Sequence, residues 1–352
     1  MVATDTPAPA PVARTSVVVA ILALVTTIGG LLIYKVSGAL GALAKASHDG
    51  ALHAKARWLD VAHASQGARL VLDSLNYFSW IAIALGFGIV ISASVRAFVP
   101  ARWLERMFGA DGARGHAFAA LAGAPLMLCS CCVSPVFEGV FARTRRLGPS
   151  LGLMLAAPAL NPAVLAATFL IFPPVVAWVR IAAALVLVLG GTMLLGRVFR
   201  DARVAEACGI ELVTPGGGSA ARAFAASLVT VMRRSLPAIV LGIVASVAIA
   251  GLLPVDSFAS SGTGAVIMIV LVALVAVPLA LPTFGEIPLA LALVAAGAPL
   301  GAAAAMLVAG PAVNLPSLFA LARATSWRVA AATGAVVFAI AVAAGWLVLA
   351  LA

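Results

Sequence analysis

The segment AAPALNP at residues 156–162 has a counterpart 153 residues later, AGPAVNL at residues 309–315. Asparagine occurs only three times in the chain, and two of the three lie in these segments. The same offset of 153 relates Pro125, Pro135, Gly148, Pro158 and Asn161 to Pro278, Pro288, Gly301, Pro311 and Asn314. Internal duplication around proline-broken helices is typical of secondary transporters, whose substrate sites lie where the helices break. The sequence therefore predicts two homologous halves.

The composition of the chain is that of an integral membrane protein. Of its 352 residues, 64% are hydrophobic and 10% are charged, whereas about 25% of the residues in a typical soluble domain are charged. Water-soluble globular classes are therefore excluded. The net charge of +10 comes from Lys and Arg that lie mostly in polar connectors. This distribution indicates membrane topology, so we expect no nucleic-acid partner.

Motifs of the common soluble enzyme classes are missing from the sequence. The chain has no Walker A motif, no zincin helix and no nucleophile elbow, which are signatures of ATPases, metalloproteases and hydrolases. We therefore expect no enzyme activity, no cofactor and no resident metal ion. The expected partners are a small-molecule solute and membrane lipid, and the sequence leaves a homo-oligomer open.

Hydropathy predicts an all-α, polytopic protein with one extra N-terminal span and three spans in each half. The predicted spans are residues 16–34, 74–99, 149–172, 175–196, 235–253, 299–321 and 329–350. Two further apolar stretches, 117–141 and 264–296, have a proline about every ten residues. They either cross the membrane or form re-entrant hairpins. The hairpin alternative places more Lys and Arg on one side, and its odd number of crossings per half makes the halves inverted.

The predicted organisation has four parts along the chain. Residues 1–73 contain the first span and a polar, Ala-rich surface helix, and residues 74–199 form the first repeat. Residues 200–223 are a polar connector, and residues 224–352 form the second repeat. We expect a multi-pass protein of the bacterial cytoplasmic (inner) membrane.

Three of the four cysteines form a cluster, Cys129, Cys131 and Cys132 around Ser130, between Pro125 and Pro135. Thiolates are soft ligands, so this cluster is a candidate site for a soft metal or a trivalent metalloid. The alternative is that small apolar cysteines fill a crowded helix break. The second copy has no thiol at the matching positions, which makes the predicted site asymmetric.

Cys129 and Cys132 also form a C-x-x-C pair, which indicates a membrane thiol oxidoreductase as an alternative function. Such enzymes usually relay electrons through a second dithiol. Only Cys208, in the polar connector, lies outside the cluster.

The two duplicated asparagines, Asn161 and Asn314, are at proline-flanked helix breaks. Their amides are candidates for solute binding, because polar groups inside a membrane are expensive and usually functional. A structural role is compatible with this one, since the amides would satisfy backbone groups that Pro158 and Pro311 free.

Glu138 and Glu286 are the carboxylates within the two broken stretches. A membrane-embedded carboxylate that gains and loses a proton is a candidate for proton coupling. Glu286 is predicted at the tip of its stretch, whereas Glu138, near Arg143, is expected to be interfacial or paired. Arg180 lies one to two turns inside its span, and we expect it to snorkel to the interface.

The segment PLMLCSC at 125–131, with Pro135, Gly148 and APALNP at 157–162, resembles the predicted-permease family that includes YraQ and the ArsP-type organoarsenical efflux permeases. The resemblance covers about residues 74–350 and implies a multi-span inner-membrane permease. It further implies export of trivalent arsenicals, with cysteine thiols binding the arsenic. Cys129 and Cys131 match the Cys-Ser-Cys of the family and Asn161 matches its Asn-Pro, whereas Cys132 stands where the family more often has a small residue.

These observations together predict a permease that exports a small thiol-reactive solute, a trivalent (organo)arsenical, by alternating access. Proton exchange through Glu286 or Glu138 is the expected energy source. Arsenic with one organic substituent takes two thiolates, and a full three-thiolate cage would hold the solute too tightly for release. The alternatives are a permease for another sulfur-containing solute or a metal ion, and the oxidoreductase described above.

Overall fold

The computed structural model describes residues 14–49, 57–61, 64–99, 101–108, 113–201, 220–252 and 264–352. The regular structure in these ranges is helical throughout, which confirms the all-α prediction. In chain order the helices are α1 (Arg14–Asp49), α2 (Gln66–Phe98), α3 (Ala101–Phe108), α4 (Ala113–Gly123), α5 (Ser130–Thr144), α6 (Leu147–Ala159), α7 (Pro162–Ile171), α8 (Pro174–Val198), α9 (Ala220–Leu252), α10 (Ala265–Ala276), α11 (Glu286–Ala295), α12 (Leu300–Ala312), α13 (Leu315–Ala324) and α14 (Trp327–Leu351). Most of the polar connector, with Cys208, lies outside the described residues.

Five of these helices, α1, α2, α8, α9 and α14, are long and apolar enough to cross a membrane. Two bent pairs, α6 with α7 and α12 with α13, pass the same test together, with bends of 40° and 41°. Counting each pair as one span gives up to seven spans in the part of the chain described here, the number predicted from hydropathy. The chain is a multi-pass integral membrane protein.

The N-terminal region differs from its prediction. α1 does not end near Tyr34 but continues to Asp49. Of the predicted surface helix, residues 35–49 extend α1 and residues 66–73 begin α2, whereas residues 50–56 lie outside the described residues. The physical reason is local: no proline occurs between residues 12 and 99, and good helix formers such as Ala, Leu and Lys follow Tyr34.

Each of the two broken stretches contains a pair of short helices. α4 and α5 are separated by a 3₁₀ turn, Ala124–Leu126, and three irregular residues, and α10 and α11 are separated by residues 277–285. The four helices have 10 to 15 residues, fewer than the roughly 20 that span a bilayer. The re-entrant hairpin remains a prediction.

The prolines that were predicted to break helices divide into two groups. Pro125 lies in the 3₁₀ turn before α5 and Pro278 in the segment between α10 and α11, whereas Pro158 and Pro311 lie in the last turns of α6 and α12. The prediction was wrong for the remaining two, Pro135 and Pro288. Pro288 is the third residue of α11, where a missing N–H removes no helical hydrogen bond. Pro135 deletes only the bond to the carbonyl of Cys131 in the first turn of α5, so the helix continues to Thr144.

The two central helices, α6 and α12, are buried over almost their whole length and consist mainly of small and aliphatic residues. Their C-terminal ends lead directly into the bends before α7 and α13. The long helices α2 and α9 pack side by side, and Phe98 at the end of α2 stacks on Phe224 near the start of α9, with ring centroids 6.0 Å apart. α2 and α9 therefore run antiparallel.

Close packing of α2 on the cysteine-bearing helix depends on Gly88. A Cβ atom at this position would overlap the carbonyl oxygen of Cys132, a backbone atom that cannot rotate away. We predict that Gly88→Ala lowers the melting temperature of the detergent-solubilised protein, because overpacking of this kind destabilises by about 1–3 kcal/mol. Thermal unfolding followed by size-exclusion chromatography measures the change.

Gly86→Ala is the matched control, since a Cβ there meets no heavy atom within 4 Å. The control should melt at or slightly above the wild-type temperature, because Ala is the better helix former. Equal melting temperatures for the two variants would contradict the close approach of α2 and α5.

Candidate functional site

A small cavity lies where the irregular segments and the two helix bends meet. Its wall includes Cys129, Pro158 and Asn161 from the N-terminal half of the chain, and Pro282, Glu286 and Pro311 from the C-terminal half. The free volume is about 10 Å³, which is room for roughly one water molecule. The cavity is therefore too small to hold a solute in this arrangement of the helices.

Three helix N-termini contribute to the wall of this cavity. Cys129 is the N-cap of α5, Asn161 is the N-cap of α7, and Glu286 is the first residue of α11. The unpaired N–H groups of a helix N-terminus carry partial positive charge. The cavity is thus a place where backbone dipoles favour negative charge, including that of a thiolate or a carboxylate.

The cysteine cluster is buried, with Cys129 6% exposed and both Cys131 and Cys132 fully enclosed. The Sγ atoms of all three lie within 4.8 Å of one another. Cys129 and Cys132 form a disulfide, with their Cα atoms 5.3 Å apart. The Sγ of Cys131 lies 3.3 Å from that of Cys129 and 3.8 Å from that of Cys132. Ser130, between them, is also buried.

The three thiol positions have different surroundings. Cys129 lines the cavity. Cys131 and Cys132 instead approach α2, where the Tyr77 hydroxyl lies 4.0 Å from the Cys131 Sγ and the Ile81 carbonyl oxygen 4.0 Å from the Cys132 Sγ. A solute in the cavity would therefore meet Cys129 first.

The duplicated asparagines cap the two helices that follow the bends. The side-chain oxygen of Asn161 accepts hydrogen bonds from the N–H groups of Ala163 and Val164. Asn314 forms a reciprocal capping box with Ser317. Both asparagines are buried, and the Nδ2 of Asn314 has no hydrogen-bond partner. Each amide thus satisfies backbone groups freed by its bend, while Asn161 also faces the cavity.

Glu286 forms a buried ion pair with Arg180. The distance from Nη2 of Arg180 to Oε1 of Glu286 is 3.0 Å, and neither side chain is more than 3% exposed. Arg180 also donates a hydrogen bond of 2.8 Å to the Thr168 hydroxyl. The expectation that Arg180 snorkels to the interface was wrong, because a buried carboxylate of the other half neutralises it in place.

A signal for this pair exists in the sequence. Arg180 is the only charged residue between positions 147 and 196, and Glu286 is the only one between positions 264 and 322. Single opposite charges in long apolar segments pair with one another more often than they remain isolated. Their pairing was not predicted from the sequence.

Glu138 lies in α5, away from this ion pair. Its side chain is 6% exposed, and Oε2 has no hydrogen-bond partner. The guanidinium groups of Arg96, Arg234 and Arg323 act on it electrostatically. Arg143, the expected neighbour, donates instead to the carbonyl oxygen of Arg96. Glu138 is a buried carboxylate inside a cluster of arginines from α2, α9 and α13.

Apolar helices that break around a closed, partly polar cavity define a membrane protein of the transporter class. Residues 67–349 match the family model ArsP_1, described as "Predicted permease". The chain belongs to this predicted-permease family.

Two curated relatives are similar in sequence. The chain is 29% identical over 278 residues to the UPF0718 protein YraQ of Escherichia coli (strain K12), an alignment that covers 78% of this chain and 80% of YraQ. It is 24% identical over 93 residues to the UPF0718 protein MJ0584 of Methanocaldococcus jannaschii, which covers 26% of this chain and 25% of that protein. No solved structure matches the chain.

Pairing within the cysteine cluster can be tested by oxidation. In a Cys208→Ser background, diamide should join Cys129 to Cys132 and leave Cys131 as a thiol, because the structure pairs the first two. Denaturation, alkylation with N-ethylmaleimide and mass spectrometry should then find one alkyl group, on Cys131.

The matched control for this experiment is Cys131→Ser in the same background. It should form the same disulfide and take up no alkyl group. A disulfide between Cys129 and Cys131, or three alkylated cysteines after oxidation, would contradict the pairing.

Proposed function

We propose that this permease exports trivalent arsenicals, in particular methylated ones, across the bacterial cytoplasmic membrane by alternating access. The observation that carries the proposal is the buried thiol cluster that meets the central cavity at Cys129. Polar and thiol groups gather there at helix breaks, the place where secondary transporters bind solute. Membership of a predicted-permease family supports transport as the activity.

The thiol chemistry needs two reduced cysteines. Methylarsenite and two thiols give a methylarsenic dithiolate and two molecules of water, with no change in oxidation state. Cys129 and Cys131 are suited to this reaction, since their Sγ atoms are 3.3 Å apart. The Cys129–Cys132 disulfide must first be reduced, and Cys132 is then the spare thiol. A solute held by two arsenic–sulfur bonds dissociates more easily than one held by three.

Alternating access is supported by signs that the halves are an inverted repeat. α6, α7 and α8 begin and end 153 residues before α12, α13 and α14, at all six boundaries. The packing repeats as well: His116 and Thr192 contact Gly148 in the first half, and the residues 153 positions later, Ile269 and Gly345, contact Gly301. The corresponding helices α2 and α9 run antiparallel, as inverted halves require.

Residues of both proposed halves line the cavity. Three of its lining positions in the first half, Leu128, Cys129 and Pro158, correspond at the same offset to Leu281, Pro282 and Pro311 in the second, which line it too. A site shared by two inverted halves can open to either side as they rock against each other. Since the closed cavity holds about one water, the halves must separate to admit the solute.

Proton exchange is proposed as the energy source. Glu286 lines the cavity and Glu138 is buried in α5, so each could bind a proton in one state and release it in another. Glu286 is the stronger candidate, because it lies beside the proposed solute. The described part of the chain offers no nucleotide-binding motif that would supply energy instead.

Two alternatives use the same residues. Three Sγ atoms within 4.8 Å could carry a soft metal ion or another thiol-reactive or sulfur-containing solute. The Cys129–Cys132 disulfide favours a thiol oxidoreductase as the second candidate. Its weakness is access, because neither sulfur is more than 6% exposed and a protein dithiol could not reach them.

Uptake of methylarsenite into everted, reduced membrane vesicles tests the proposal. We expect wild-type vesicles to accumulate arsenic when a proton gradient is present. Cys129→Ser and Cys131→Ser should reduce uptake to that of vesicles without the protein, because each removes one of the two required thiolates. Cys132→Ser and the control Cys208→Ser should retain it.

The absence of uptake by well-expressed wild type, with or without the gradient, would refute the arsenical assignment. Equal loss in Cys132→Ser would instead replace the two-thiol site by a three-thiol site.

A further inference from the structure

The Arg180–Glu286 pair joins the two halves of the chain next to the proposed solute site. Arg180 lies on α8 of the first half, and Glu286 begins α11 of the second. Their side chains are 2% and 3% exposed, with Nη2 and Oε1 3.0 Å apart. Glu286 is also part of the cavity wall. A change in the charge of either residue would therefore alter both the contact between the halves and the wall of the cavity.

Arg180 is held firmly on the side of the first half. Its Nη1 donates to the Thr168 hydroxyl at 2.8 Å, and that hydroxyl donates to the carbonyl oxygen of Val164 at 2.8 Å. Val164 itself lines the cavity and donates its N–H to the capping oxygen of Asn161. The Nε of Arg180 is buried without a partner. Among the described residues of the second half, Glu286 is the charged group that pairs with the guanidinium and neutralises it.

We infer that Arg180 and Glu286 form a latch that keeps the two halves closed around the cavity, and that a proton on Glu286 opens it. The inference rests on the proposed function, because it assigns the coupling step of that transport cycle. In it, Arg180 is a positioning residue and Glu286 is the group that binds the proton.

The physical reason is the cost of an unpaired buried charge. With both groups ionised, the closed state contains a neutral pair. When the carboxylate of Glu286 takes up a proton and becomes a carboxylic acid, Arg180 keeps its charge, because a guanidinium does not deprotonate in proteins. The closed state then buries an uncompensated cation, whereas the open state lets water hydrate it. Proton binding therefore shifts the population towards the open state.

Few other ionisable groups share the surroundings of Glu286. Cys129 at the start of α5 lines the same cavity, with Cys131 and Cys132 beside it. The helices α6, α7, α10 and α12 contain no ionisable residue. α9 faces the neighbourhood of α11 with Ser246, Val247 and Ala250. Lys35 of α1 acts electrostatically on Cys131. In the described part of the chain, the carboxylate, the guanidinium and the thiols are the ionisable groups nearest the proposed latch.

Variants of the pair distinguish a latch from a merely structural contact, because a latch gives each variant a different dependence of opening on pH. Glu286→Gln imitates the protonated acid and should be open at every pH. Arg180→Gln leaves a lone carboxylate, so it should be open at high pH and close as Glu286 is protonated at low pH. The wild type should respond in the opposite direction, and Arg180→Gln/Glu286→Gln should stay closed throughout.

The test is the labelling rate of Cys129 by a hydrophilic maleimide in nanodiscs, where both faces of the membrane are accessible. The background is Cys131→Ser/Cys132→Ser/Cys208→Ser, and rates are divided by those of the double glutamine variant at the same pH to cancel intrinsic thiol reactivity. Glu286→Gln should be labelled at least about tenfold faster than the wild type at high pH, because a buried unpaired charge is strongly unfavourable. Arg197→Gln, which removes an exposed charge from the same helix, should behave as the wild type.

A reversed pH response in Arg180→Gln supports the latch. The same pH response in Arg180→Gln as in the wild type, or rapid labelling of the double variant, would overturn it. If the single variants do not fold, the test compares the wild type with the double variant. A ratio of their Cys129 labelling rates that does not change with pH would then overturn the inference. The labelling experiment contains no arsenical, so a negative result does not bear on the proposed substrate. A negative result in the arsenic uptake experiment likewise does not bear on the latch.

Discussion

Backbone groups inside a membrane must find hydrogen-bond partners within the protein, and this constraint shapes the centre of the molecule. The two helix bends free N–H groups at the starts of α7 and α13, and Asn161 and Asn314 cap them. Because the caps satisfy the backbone, the breaks can remain open towards a cavity. At these breaks, thiol, amide and carboxylate side chains can lie beside backbone groups. An uninterrupted helix would keep those backbone groups in its own hydrogen bonds.

The buried ion pair obeys the same rule for charge. Arg180 and Glu286 are each expensive to bury alone, and their pairing makes both tolerable only while the halves are together. In the proposed transport cycle this dependence is useful, because one proton on Glu286 would change the free energy of the closed state. The thiol cluster adds a chemical requirement to the proposed function, since arsenic binding would need Cys129 in its reduced form. The proposed function thus joins a proton-sensitive contact between the halves to a redox-sensitive ligand.

Sequence patterns predicted the parts of the fold that depend on local chemistry. Hydropathy gave the number of candidate spans, and the spacing of Pro158 and Asn161, repeated at Pro311 and Asn314, predicted the bends. The end of α1 was missed because helix propensity continues past the apolar segment into polar sequence. Arg180 and Glu286 are 106 residues apart, and only the packing of the two halves brings them together. The different surroundings of Cys129 and its neighbours depend in the same way on the position of α2.

Arsenic binding by two thiolates at the cavity is the central claim of the proposed function. X-ray absorption spectroscopy of arsenic bound to the purified, reduced protein tests this most directly, because it counts the sulfur neighbours of the metalloid. Methylarsenite should have about two sulfur neighbours and one carbon neighbour, in the wild type and in Cys132→Ser alike. An arsenic atom without sulfur neighbours, or one that keeps two after Cys129→Ser and Cys131→Ser are combined, would contradict the account.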